Sequence, residues 1–137
     1  MRIFLDANIL FSAAKSDGAV RELLRLARHA GHSLWIDDYV ATEARRNLLG
    51  KGPEAIAALD VLLTQVNISV AQAPGSARSE LDWLPEKDRP VLAAAIRLGC
   101  DVLVTGDRSH FGAGYGKTFG AVRIQSPRSL LDALNAR

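Results

Sequence analysis

The 137-residue chain has a single cysteine, Cys100. One thiol supports neither a disulfide framework nor a Cys-based zinc site. Its apolar context fits a small buried side chain. Long apolar runs are missing too. No stretch approaches the roughly 20 residues needed to cross a bilayer, so no membrane association is expected. No signal-peptide layout precedes the β-rich run that begins at Ile3, so a cytoplasmic protein is expected and the sequon Asn67-Ile68-Ser69 is set aside. Repeats, low-complexity tracts and linkers are absent, and residues 1–137 are expected to form one domain. A strong charge of either sign is lacking as well. Seventeen Lys and Arg stand against fifteen Asp and Glu, giving net charge +2 and a pI near 9.0. That balance permits a nucleic-acid partner without demanding one.

What is present is ordinary for a globular protein, 48% apolar and 23% charged. The length suffices for a core without staples. Ile3–Leu5 reads as a buried strand ending at Asp6. Helical spacing follows over Asn8–Ala14, broken near Ser16-Asp17-Gly18. A second helix covers Ala19–Ala30, with Val20, Leu23, Leu24 and Ala27 on one face and Gly31 at its end. Ser33–Ile36 is a strand stopped by Asp37-Asp38, both candidate N-caps. Helices are expected over Tyr39–Leu49, ended by Gly50, and over Pro53–Gln65. Ile68–Val70 is a short strand and Gln72–Ser79 a loop. Asp88–Leu98 is a helix stopped by Gly99, Asp101–Thr105 a buried strand, and Val122–Ile124 a last strand. Ser126-Pro127 opens a final helix to about Leu134. This alternation predicts an α/β fold, a three-layer α/β/α sandwich around a mostly parallel sheet of four to five strands. Ile3–Leu5 and Val102–Val104 are the candidates for the sheet centre. Sites in such sheets form outside the carboxyl ends of the strands, where Asp6 and Asp107 should share one crevice.

Four acids stand out by position. Asp6 either caps the Asn8 helix or faces that crevice. Glu43 lies in the stripe Val40, Glu43, Ala44, Asn47, Leu48, where a carboxylate is costly unless paired or metal-bound. A salt bridge to Arg45 or Arg46 is its alternative. Asp88 precedes Arg89-Pro90 at a helix start, where capping is a sufficient reason for it. Asp107 follows Thr105-Gly106, a turn signal in its own right. Together, four carboxylates at one edge repel one another, and hard divalent cations relieve that repulsion.

The chain resembles the PIN-domain nucleases over nearly its whole length. The likeness rests on Phe4-Leu5-Asp6-Ala7-Asn8-Ile9-Leu10, Thr42-Glu43, Asp88-Arg89-Pro90-Val91-Leu92-Ala93-Ala94-Ala95, and Leu103-Val104-Thr105-Gly106-Asp107 leading to Phe111. It implies that Asp6, Glu43, Asp88 and Asp107 are catalytic acids holding Mg²⁺ or Mn²⁺. It implies cleavage of RNA by metal-activated water, with Asn8 supporting the first acid and Thr105 beside the last. Many members are toxins of bacterial VapBC-type pairs, which implies a type II toxin–antitoxin role with a small antitoxin as partner and room for a homodimer. The pattern departs at Ala7, where members often carry Thr or Ser. Arg45, Arg46, Arg108 and Lys117 are candidate phosphate contacts. The Arg21, Arg25, Arg28 group is read as a solvated helix face. His110 lies near the site and could support its acids, with packing beside Phe111 the favoured reading, and His29 and His32 are expected to take capping or surface roles.

Other classes fit less well. A haloacid-dehalogenase-type phosphatase needs an acid two residues after the first, where Asn8 stands. A receiver domain needs adjacent acids after the first strand, but Asp37-Asp38 follow the second. A catalytically inactive PIN-like module that binds RNA or protein is the non-enzyme alternative. Its mark would be a lost acid, and all four are present. Gly116-Lys117-Thr118 hints at a phosphate loop, yet the glycine such a loop needs five residues earlier is Phe111. The segment is expected to be a flexible loop.

Overall fold

The computed structural model describes residues 1–72 and 79–136. Positions 73–78 of the loop expected over Gln72–Ser79 lie outside the described residues, and Ser79 begins a 3-10 turn, Ser79–Leu81. The strands are β1 (Arg2–Leu5), β2 (Ser33–Asp37), β3 (Asn67–Ser69), β4 (Val102–Val104), β5 (Thr118–Phe119) and β6 (Val122–Gln125). The helices are α1 (Ala7–Lys15), α2 (Ala19–His29), α3 (Asp38–Lys51), α4 (Ile56–Leu63), α5 (Arg89–Arg97), α6 (Arg108–Phe111) and α7 (Pro127–Asn135). Pro53 opens a 3-10 turn ahead of α4 rather than the α-helix itself.

The six strands run β3-β2-β1-β4-β6-β5, all parallel except β5, which pairs antiparallel with β6. The expected four to five strands become six because β5 closes a short hairpin. Ile3, Phe4 and Leu5 are all fully buried, as are Leu103 and Val104. Successive strand residues point to opposite faces, so both faces of β1 and β4 are covered. That is the three-layer arrangement predicted. On the helical side α1 packs against α2, α3 and α4, while α5 and α7 pack against β4 and β6. The chain leaves β1 toward β2 and β3 on one side, then returns to β4 and β6 on the other. The switch falls between β1 and β4.

Two local expectations change. Helix α3 does not stop at Gly50 but runs through it to Lys51. A helical glycine costs only about 1 kcal/mol. The final turn is held by buried Leu48, whose carbonyl accepts from the Gly52 N–H, and by Lys15 Nζ, which donates to the Lys51 carbonyl at 2.8 Å. The glycine-rich segment is also not a free loop. Gly116 adopts φ +78°, a turn that suits glycine, and the backbone N–H groups of Gly116 and Ile124 bond across to β6 and Lys117. The first arginine group departs in part from a solvated face. Arg21 Nε and Nη2 donate to the Ala13 and Ala14 carbonyls, closing the end of α1, while Arg25 pairs with Glu22.

Candidate metal centre at the carboxyl edge of the sheet

The switch between β1 and β4 delivers Asp6 and Thr105 side by side. Asp6 ends β1, and its backbone N–H donates to the Val104 carbonyl at 3.1 Å. It caps α1 as expected, Oδ1 accepting from the Ala7 N–H at 2.8 Å. Its other oxygen is held too. Oδ2 accepts from Thr105 Oγ1 at 2.8 Å and from Asn8 Nδ2 at 3.1 Å. Thr105 is fully buried, and its hydroxyl oxygen also accepts the Asp107 N–H at 3.1 Å. Asn8 Oδ1 accepts the Gly106 N–H at 2.9 Å, tying α1 to the turn before Asp107. The supporting roles read for Asn8 and Thr105 therefore have a geometry: they fix Asp6 and aim Asp107. Tyr115 adds a strut that the sequence did not signal, its hydroxyl donating to the Thr105 carbonyl at 2.7 Å.

Asp107 caps α6, with Oδ1 accepting the His110 N–H at 3.1 Å. Asp88 behaves differently. It ends a 3-10 turn, Glu86–Asp88, and makes no side-chain cap on α5. The capping role that would have explained it is absent. Its Oδ2 lies 2.9 Å from His110 Nδ1, and Asp107 Oδ2 lies 2.9 Å from the same nitrogen. Asp88 Oδ2 and His110 Nδ1 are nevertheless buried without a partner in hydrogen-bond geometry. Asp88, Asp107 and His110 each offer one potential ligand atom, and these three atoms lie within 4.8 Å of one another. His110 thus faces the acids instead of serving only as packing beside Phe111.

The charges feel one another. Burial raises the Asp6 carboxyl above its ordinary range, its hydrogen bonds from Thr105 and Ala7 oppose this, and Asp88 and Asp107 push it further up. Burial likewise raises Asp88; His110 and Lys87 oppose the rise and Asp107 adds to it. A buried oxygen without a partner, in a cluster of like charges, is a place where a cation fits.

Glu43 is not part of this tight group. It is half-buried on α3, in the predicted stripe with buried Val40, Ala44 and Leu48. Tyr39, one turn earlier, donates to the Lys87 carbonyl at 2.7 Å and joins α3 to the approach of Asp88. Burial raises the Tyr39 hydroxyl, and both Glu43 and Asp88 add to the rise, so Glu43 borders the same edge. A surface groove of about 300 Å³ lies there, lined by Asp38, Tyr39, Thr42, Glu43, Arg46 and Ala71.

The basic candidates separate. Arg45 does not pair with Glu43 but with Asp60, at 2.7 Å. Arg46 is exposed beside Glu43, Arg108 is exposed directly after Asp107, and Lys117 is exposed in the turn before β5. His32 is buried, with Nδ1 2.9 Å from the N-terminal amine.

A parallel α/β/α sandwich with acids gathered at its switch point defines an acid-lined carboxyl-edge domain. Within that class, the family described as PIN domain matches residues 2–109, and the chain belongs to it. No curated protein sequence matches the chain. Solved structures share its fold. VapBC2 from Rickettsia felis, bound to a DNA fragment from its promoter, matches at 20% identity and TM-score 0.69, over 92% of this chain and 98% of the other. VapBC-1 from nontypeable Haemophilus influenzae matches at 17% and 0.59, over 93% and 99%. Mycobacterium tuberculosis VapC20, a sarcin-ricin-loop-cleaving toxin, matches at 15% and 0.58, over 85% and 98%. Among the described residues no helix is long and apolar enough to cross a membrane.

Proposed function

We propose that this PIN-domain chain is a Mg²⁺- or Mn²⁺-dependent endoribonuclease, the toxin of a type II toxin–antitoxin pair held inactive by a small antitoxin. The observation that carries the nuclease reading is Asp88. Its carboxyl is partly buried, with Oδ2 fully covered, makes no helix cap and is raised, beside Asp107 and within the field of Asp6. Its contact with His110 opposes the rise without cancelling it. A divalent ion would offset it.

Asp88 and Asp107 present oxygens for the ion. Asp6, held by three donors, supplies fixed negative charge behind them. Glu43 closes the edge from α3. Bound Mg²⁺ or Mn²⁺ supplies concentrated positive charge that activates water and stabilises the leaving oxygen of a phosphodiester. Arg46 on α3 and Arg108 directly after Asp107 are exposed and are the candidate contacts to the RNA backbone, with Lys117 a further exposed candidate. Arg45 contributes less, because Asp60 already occupies it. Likeness to chains of VapBC structures supports the toxin role and the antitoxin partner.

The test is RNA cleavage by purified protein freed of any partner, beside Asp6→Asn and with EDTA. Cleavage that EDTA stops and Asp6→Asn lacks is the expected result. Equal activity in both proteins would sink the site. Bound metal without cleavage would favour an inactive binding module.

A further inference from the structure

Three features of His110 go beyond an acid-only centre. Its Nδ1 stands 2.9 Å from Asp88 Oδ2 and 2.9 Å from Asp107 Oδ2. That nitrogen and Asp88 Oδ2 are buried without hydrogen-bond partners. The backbone that carries the ring is fixed, because the His110 N–H donates to Asp107 Oδ1 in the cap of α6. One ring N–H cannot aim at two carboxylate oxygens at once, so an ion pair satisfies this geometry poorly. A shared cation satisfies it well. Adjacent ligands around an octahedral ion with bonds of about 2.1 Å stand about 3.0 Å apart, which is close to both observed spacings.

We infer that His110 Nδ1 is a nitrogen ligand to the divalent ion held by Asp88 and Asp107, and that it biases the centre toward Mn²⁺ over Mg²⁺. The inference rests on the metal reading proposed above. The chemistry follows from ligand type. Mg²⁺ prefers oxygen and gives up water reluctantly. Imidazole is a better partner for ions further along the first transition row, and Mn²⁺ tolerates it more readily than Mg²⁺ does. Asp6 cannot substitute for this ligand freely, since its oxygens already accept three hydrogen bonds.

Mn²⁺ alone is the probe. The full chain, freed of partner, is loaded with Mn²⁺ and read by electron spin-echo envelope modulation, which detects a directly bound ¹⁴N. Wild type should show the nitrogen coupling. His110→Gln should lose it while still binding Mn²⁺, with Mn²⁺ affinity down about tenfold and Mg²⁺ affinity down less. Bound Mn²⁺ without ¹⁴N coupling in wild type would overturn this inference and leave the acid centre standing. So would coupling that persists in His110→Gln. No Mn²⁺ binding in wild type would overturn both. The wild-type spectrum does not depend on the variant folding.

Discussion

Two strand ends in this sheet carry a buried aspartate that caps the following helix, and they sit in different electrostatic surroundings. Asp37 ends β2 and accepts the Val40 N–H at 3.1 Å, capping α3. Asp6 ends β1 and caps α1 in the same way. Burial raises both carboxyls. The surroundings differ. The charges that act on Asp37 are Arg97, which opposes the rise, and Asp38. Those that act on Asp6 are Asp88 and Asp107, brought by the 3-10 turn before α5 and by the turn after β4. A carboxylate at a strand end is a cap by default. It becomes a candidate for a site when the topology delivers further acids to it, and at the switch point between β1 and β4 Asp88 and Asp107 are near enough to act on Asp6.

The largest effect should separate these two ends in cleavage assays. Asp88→Asn should cost more than the roughly 10- to 100-fold typical of groups that merely support a metal ligand. Asp37→Ala should leave cleavage within a few-fold of wild type while costing about 1 kcal/mol of stability through the lost cap. Similar activity losses in the two variants, with both folded, would erase the distinction.

Next in size is Thr105→Val. It keeps the shape of a fully buried residue but removes the hydroxyl that holds Asp6 Oδ2 and receives the Asp107 N–H. We expect about a 10- to 100-fold loss of cleavage with RNA binding kept. The loss of buried hydrogen bonds should lower stability by about 1–3 kcal/mol. Steady-state kinetics beside urea unfolding would check both.

The smallest effect is on pH dependence. The folded chain holds the Asp88 proton more tightly than the unfolded chain, in which the carboxyl titrates near 3.8. Its contribution to stability therefore falls as pH rises from 3.8 through the raised value, then levels off. Asp88→Asn removes that penalty. In EDTA, the melting temperature of the variant relative to wild type should climb over this window and then stay flat. A difference that shrinks with rising pH would contradict a raised Asp88.

Much of this was legible in the chain itself, for physical reasons. The continuous apolar runs at β1 and β4 mark strands buried on both faces, and the acids after them follow from the crossover rule. The contacts of Asn8 and Thr105 with Asp6 and the Asp107 turn were legible because these residues are near neighbours in sequence or across adjacent strands. Helix α6 and strand β5 did not read, since the glycine-rich stretch around them has no apolar period and its order comes from pairing with β6. The close approach of His110 to both acids was not legible for the same reason. Its direction is set by a four-residue helix capped by Asp107. The failure of Asp88 to cap α5 depends on the 3-10 turn before it. The Arg45 pairing required α4 to bring Asp60 across.

The most direct measurement is calorimetric titration of Mn²⁺ into partner-free wild type, Asp88→Asn and Asp37→Asn. Wild type and Asp37→Asn should bind Mn²⁺ alike, and Asp88→Asn should bind it at least about tenfold more weakly. Equal binding by all three proteins, or loss only in Asp37→Asn, would contradict a metal centre at the β1–β4 switch point.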